Sequence, residues 1–146
     1  MSEFERCVED RRLIHVQASD KMIEKESNGA KYDLKRAEES LRNGDCKWAS
    51  VQAYYSMFHA AKALVLRRGY REKSHYCLLI ALRDLYVNAG ELGEEFADNF
   101  EMAMDIRHEA DYALSYDEES AKIAVRNAER FLHKAQEMLA RNGGKK

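Results

Sequence analysis

Apolar residues recur along this chain at steps of three and four, the spacing of one buried helical face, and glycines punctuate the pattern. The clearest stripe is Ala121, Ala124, Ala128, Phe131, Ala135 and Met138. Leu92, Phe96, Phe100, Ala103, Ile106, Ala110 and Leu114 form a second, and Leu78, Leu82, Leu85 and Ala89 a shorter third. Gly44, Gly69, Gly90 and Gly143 each follow such a stretch, where a helix end favours a left-handed residue. The pattern predicts helices over about 31–43, 46–68, 74–89 and 91–115, closed by a fifth over 117–142. Asp117, Glu118 and Glu119 put negative charge at the start of that last helix, where its dipole favours it. Short connections force neighbours to run antiparallel. The expected fold class is therefore all-α, an up-and-down bundle of four to five helices.

The first thirty residues are less regular. Residues 4–17 allow a helix, and Ser19 or Asp20 can cap a second that weakens at Asn28-Gly29. We read 1–30 as a helical extension, 31–142 as the bundle and 143–146 as a frayed tail.

Composition agrees with long helices. There are 146 residues, enough for one domain, and no proline to break a helix interior. Charged residues make up 34% of the chain, against ~25% in an average globular protein, which on helices means solvated outer faces. The net charge of −2 exerts no global pull on nucleic acid or anionic lipid, so such binding requires a local patch. The three cysteines, Cys7, Cys46 and Cys77, are scattered and odd in number, which predicts reduced thiols rather than a disulfide or zinc site. The five histidines are dispersed, no metal site is expected, and no glycine-rich loop suggests a nucleotide cofactor. A charged N-terminus and the lack of a long apolar run predict a cytoplasmic protein with no membrane contact.

The topology has a consequence for chemistry. In an up-and-down bundle, the loop after helix 46–68 and the end of helix 91–115 lie at the same end. RRGYREKSH (Arg67 to His75) and RHEADY (Arg107 to Tyr112) should then meet in space.

Three motifs stand in order: AYYSMFHAAKALVLRRG from Ala53 to Gly69, KSH from Lys73 to His75, and RHEADY. In them the chain resembles the HEPN family, and more narrowly its small prokaryotic members with AYYxMFHAA, a KTH-like tripeptide and RxxADY. The resemblance spans about residues 31–140. It implies a four- to five-helix bundle that forms a homodimer, with active groups near the dimer seam. It also implies a ribonuclease toxin acting with a minimal nucleotidyltransferase partner as antitoxin. The family's cutting motif is an arginine followed, after four to six residues, by a histidine. Arg107 matches the arginine, but the permitted histidine positions hold Tyr112, Ala113 and Leu114. Two readings follow: a toxin-like RNase or RNA- and nucleotide-binding subunit, or a non-catalytic helical adaptor that has lost the RNase motif.

The candidate residues each carry a plainer alternative. Arg107 and Asp111 are one turn apart, suited either to gripping a phosphate or to a solvent-exposed intrahelical ion pair. Tyr112 is a candidate site hydroxyl, and in the resemblance a target of nucleotidylation, or simply an aromatic at the bundle edge. His75 has the titration range for proton transfer, unless Ser74 merely caps a helix that His75 decorates. Arg68 precedes His75 at the loose motif spacing, but across a loop, which we take as coincidence. Arg67, Arg68, Arg71 and Lys73, with Tyr70 to stack a base, form a basic cluster for RNA or nucleotide phosphate, or a solvated helix end. Tyr55 and His59 share a face of helix 46–68 and either reach toward Arg107 or form a satisfied core pair.

Overall fold

The computed structural model describes residues 1–110 and 117–143. Its elements are α1 (Glu3–Glu9), β1 (Leu13–His15), α2 (Asp20–Arg42), α3 (Cys46–Arg67), β2 (Tyr70–Glu72), α4 (His75–Leu82), α5 (Glu94–Ala110) and α6 (Glu118–Gly143). The architecture is the expected all-α bundle. α3 is central, with α2, α4, α5 and α6 packed around it. Alanines on facing helices let α2 and α3 approach closely: Ala30 and Ala37 meet a helix whose Ala49, Ala53 and Ala60 are likewise buried. The Ser56 hydroxyl, fully buried between them, donates to the Ala30 carbonyl at 2.8 Å. A larger layer of Tyr54, Leu64, Tyr86, Phe100 and Phe131 fills the other side.

Local signals account for the helix ends. Ser19, Asp45, Ser74 and Asp117 cap α2, α3, α4 and α6 by accepting backbone N–H bonds from Met22, Trp48, Cys77 and Ser120. Gly44 and Gly69 end α2 and α3 at φ 79° and 89°, a conformation that costs other residues strain.

The structure differs from the expectation in four places. First, α2 runs unbroken through Asn28-Gly29. Burial of Ile23, Ala30 and Ala37 and the Ser56 bond offset the roughly 1 kcal/mol that a mid-helix glycine costs. Second, the helix expected over 74–89 is α-helical only to Leu82 and then widens into a π turn over Arg83–Val87, with the Asn88 amide donating to the Arg83 carbonyl. The wider turn seats Tyr86, whose hydroxyl donates to the Leu64 carbonyl at 2.6 Å inside the core. Third, the helix allowed over 4–17 stops at Glu9, and Leu13–His15 pairs antiparallel with Tyr70–Glu72 instead. Arg11 makes the turn between them at φ 60°, completing a Schellman-type cap: its N–H reaches the Val8 carbonyl and that of Arg12 the Cys7 carbonyl. Holding a non-glycine residue there costs roughly 1 kcal/mol.

The fourth difference is covalent. Cys7 of α1 and Cys77 of α4 form a disulfide, their Cα atoms 6.0 Å apart and 70 residues apart in sequence, while Cys46 is free. The expectation of three reduced thiols is thus overturned for two of them. The pairing is invisible to spacing because it depends on α1 folding back across the first turn of α4. Among the described residues, no helix is long and apolar enough to cross a membrane, and no group of histidine, cysteine and carboxylate side chains could hold a metal ion.

A cross-link over 70 residues removes unfolded-chain entropy worth roughly 4 kcal/mol. Urea unfolding of the oxidised protein should show a clearly higher midpoint than the reduced protein or Cys7→Ser, whereas Cys46→Ser should leave it in place. Equal midpoints with and without reductant would contradict a structural bridge.

Candidate functional site

α3 presents a stripe of polar and aromatic side chains, Tyr54, Tyr55, Phe58, His59 and Lys62, to its neighbours on the α4 and α2 sides. The β2–α4 junction brings His75 over this stripe as the first residue of α4. Ser74 does cap that helix, but His75 does not merely decorate it. Its ring stacks on Phe58 at 4.4 Å between centroids, and its Nδ1 lies 2.6 Å from the Tyr54 hydroxyl. From α5, Arg107 donates through Nη2 to the Tyr55 hydroxyl at 2.8 Å, with its guanidinium 5.9 Å and 5.5 Å from the centres of the Tyr54 and Tyr55 rings. His75 and Arg107, with Met104 and Asp105, line one open cleft of about 340 Å³. The two ends that topology alone brings together therefore do meet.

The electrostatics of the cleft follow from burial. Burial holds the His75 imidazole below its usual range, and the positive charges of Arg107 and Lys62 push it the same way. The same desolvation lifts the Tyr54 phenol far above its ordinary value, with Tyr55 and Glu72 adding to it and Arg107 opposing. Tyr54 thus remains protonated, and His75 Nδ1 is its one hydrogen-bond partner among the described residues. A buried hydroxyl avoids the penalty of an unmade bond by donating. Tyr54 then donates to Nδ1, and the neutral ring carries its hydrogen on Nε2.

His59 belongs to a neighbouring cluster rather than to the cleft. Its Nδ1 lies 2.7 Å from Glu26 Oε1 and its Nε2 3.6 Å from Asp33 Oδ2, while Lys62 bridges Glu26 and Glu72 at 3.6 Å each. Burial raises the Glu26 carboxyl, but the His59 hydrogen bond and the Lys62 charge outweigh it and hold it below the usual range. Burial instead prevails at Glu72 and at Asp33, raising both. His59 is satisfied by carboxylates, not by a tyrosine hydroxyl.

The basic cluster read from sequence separates in space. Arg68 donates to the Leu85 carbonyl and to Glu91 and lies 4.1 Å from the centre of the Tyr86 ring, so it is tied to the end of the π turn. Arg67 turns toward α6, where it donates to the Leu139 carbonyl at 3.4 Å. Tyr70 packs between Phe4 and His15 and is not free to stack a base. Arg71 and Lys73 are exposed. Asp111 and Tyr112 lie outside the described residues. Sequence reasoning missed Tyr54 and Asp105. The signal for Tyr54 was its place four residues before Phe58 on the same helical face, beside the more conspicuous Tyr55. A second cleft, between α5 and α6, is lined by Met57, Met102, Ile106 and Ile123 among others and contains no titratable side chain among the described residues.

Comparison with known proteins agrees with this architecture. The HEPN domain model matches residues 24–139, and the chain belongs to that family. A UPF0332 protein of Archaeoglobus fulgidus is 34% identical over 93 residues, covering 62% of this chain and 73% of that protein. "Putative toxin MJ0605" of Methanocaldococcus jannaschii is 29% identical over 75% of this chain and 83% of its own length. The crystal structure of TT1696 from Thermus thermophilus superposes with a TM-score of 0.68 at 23% identity, over 79% of this chain and 96% of that one, a likeness of fold.

The depressed His75 ring makes a signed prediction. Its folded pKa lies below the unfolded ~6.5, so its contribution to stability is complete above that pH and is lost as pH falls through the folded value. The stability advantage of wild type over His75→Gln, read as urea midpoints from pH 8 to 5, should shrink below about pH 6.5. Tyr54→Phe removes the donor that favours the neutral ring and should raise the His75 pKa seen by NMR titration. An unmoved titration would take Tyr54 out of this role.

Proposed function

We propose that this chain is a toxin-like HEPN protein that cleaves RNA without a metal ion, with Arg107 and His75 as its working pair. The observation that carries the reading is their position on one cleft, where Arg107 is braced by Tyr55 and His75 by Tyr54. In the reaction the ribose 2′-oxygen bonds to the adjacent phosphorus and the 5′-oxygen leaves. The products are a cyclic phosphate and a 5′-hydroxyl, which gains the proton that the 2′-hydroxyl loses. Negative charge accumulates on the phosphate oxygens. The Arg107 guanidinium and the His75 Nε2–H stabilise it as preorganised donors. His75 thus takes a place that the usual motif gives to a histidine after the arginine, and it does so from a different helix.

Family resemblance and the toxin name of a relative support the toxin-like setting. On the same basis the chain acts as a homodimer beside a minimal nucleotidyltransferase, with Asp111 and Tyr112 adjoining the site and Tyr112 as the hydroxyl that the partner modifies. The second reading, a binding module without turnover, is favoured by one observation: positions 112 to 114 contain no histidine.

RNA cleavage in EDTA should fall by about 10²–10³ in Arg107→Ala, the loss typical of one transition-state donor, with the fold intact by circular dichroism. His75→Ala should lose activity comparably, because it removes the second transition-state donor. Full activity in Arg107→Ala would sink the assignment. RNA bound by both proteins but cut by neither would select the binding module.

A further inference from the structure

The β1–β2 ribbon gives the N-terminal segment a place in the site. Register pairs Leu13 with Glu72 and Ile14 with Arg71, and the Lys73 amide donates to the Arg12 carbonyl at 2.7 Å, extending the pairing by one residue. Side chains alternate across a strand, so Leu13 and Glu72 turn inward, the first fully buried. Arg12, Ile14, Arg71 and Lys73 then share the outer face, and the three cations are exposed. Arg12 and Lys73 stand directly opposite each other, an arrangement of like charges that works against the pairing. Arg11, also exposed, adds a fourth cation in the left-handed turn position where glycine is the usual choice.

None of these four makes an ion pair among the described residues. Arg12 borders a small cleft with Arg6, Glu3, Asp10 and Tyr76, yet no carboxylate oxygen there comes within 4.0 Å of it. Tyr76, 49% exposed, lines the same cleft and its hydroxyl donates to Glu3. Lys73 stands two residues before His75, which lines the Arg107 cleft, so the end of the ribbon lies close to that cleft along the chain. A chain with a net charge of −2 has thus gathered four cations without ion pairs among the described residues, three of them in unfavourable positions, at one end of the ribbon.

We infer that the outer face of this ribbon is the track that holds the backbone phosphates of single-stranded RNA leading into the cleft. The inference rests on the RNA reading above, but it concerns binding and not cleavage. It assigns Arg12, from the N-terminal segment, to the same surface as Arg71 and Lys73, with Arg11 at the turn just before it.

The test is fluorescence anisotropy of a labelled 2′-O-methyl oligoribonucleotide, which cannot be cut at its 2′ position, with the full oxidised chain. Arg12→Gln/Arg71→Gln/Lys73→Gln should bind at least tenfold more weakly at low salt. Its slope of log affinity against log salt should be shallower by about 2, three phosphate contacts at ~0.7 each. Arg11→Gly should weaken binding while its urea midpoint does not fall, separating loss of a contact from loss of fold. If wild type and triple variant bind equally with one salt slope, the ribbon is not the track, though the RNA reading stands. No binding by wild type also overturns it. Ribbon-dependent binding without cleavage of natural RNA by wild type upholds the track and removes the nuclease.

Discussion

The burial of α3 is the constraint on which the remaining structure depends. A helix surrounded by α2, α5, α6 and α4 has almost no solvent-facing side, yet its sequence places Tyr54, Tyr55, Ser56, His59 and Lys62 among alanines and leucines. Polar groups lost to water need partners, and the neighbouring helices supply them to four of these residues, while the buried Ser50 hydroxyl of the same helix has none among the described residues. Ser56 finds the Ala30 carbonyl, His59 finds Glu26, Tyr54 finds His75 and Tyr55 finds Arg107. The last two pairs form the candidate site, which is thus a product of the same satisfaction rule that orders the core.

This arrangement separates two polar zones that touch through one ring. Phe58 stacks on His75 and meets His59 edge-on at 5.4 Å, with the Lys62 ammonium 5.7 Å from its centre. On one side, burial, helped by the charges of Arg107 and Lys62, holds the His75 imidazole below its usual range in an open cleft. On the other, carboxylates from α2 and β2 engage His59 and Lys62 in a network that ties three elements together. Two histidines on adjacent faces therefore have different electrostatic surroundings: carboxylates engage His59, while the positive charges of Arg107 and Lys62 act on His75.

The N-terminal segment is secured twice, by the ribbon and by the Cys7–Cys77 bridge. Both attachments converge on the stretch from Tyr70 to Cys77, which also carries Lys73 and His75. Anchoring α1 there fixes the entry to α4, and with it the angle at which His75 reaches Phe58. A short strand pair alone is marginal in water, so the covalent link and the packing of Leu13 in the core are what hold the ribbon.

Much of the fold was legible in the sequence because helical periodicity and capping are local. The stripes at 92–110 and 121–138, the glycine stops at 44 and 69 and the order of the helices required no tertiary knowledge, and topology alone placed Arg107 and His75 at one end. Other features depended on contacts between distant segments. Gly29 stays helical because α3 packs against it, and 13–15 becomes a strand because 70–72 is there to pair. Cys7 meets Cys77 only once α1 folds back, and Arg67 and Arg68 leave the basic cluster for partners at Leu139 and Glu91. Periodicity identifies which face of a helix is buried, but not which residue of another element the buried side chain meets. The chain alone determined a helical bundle with its polar ends together; only its tertiary packing decided that Tyr54 would face His75.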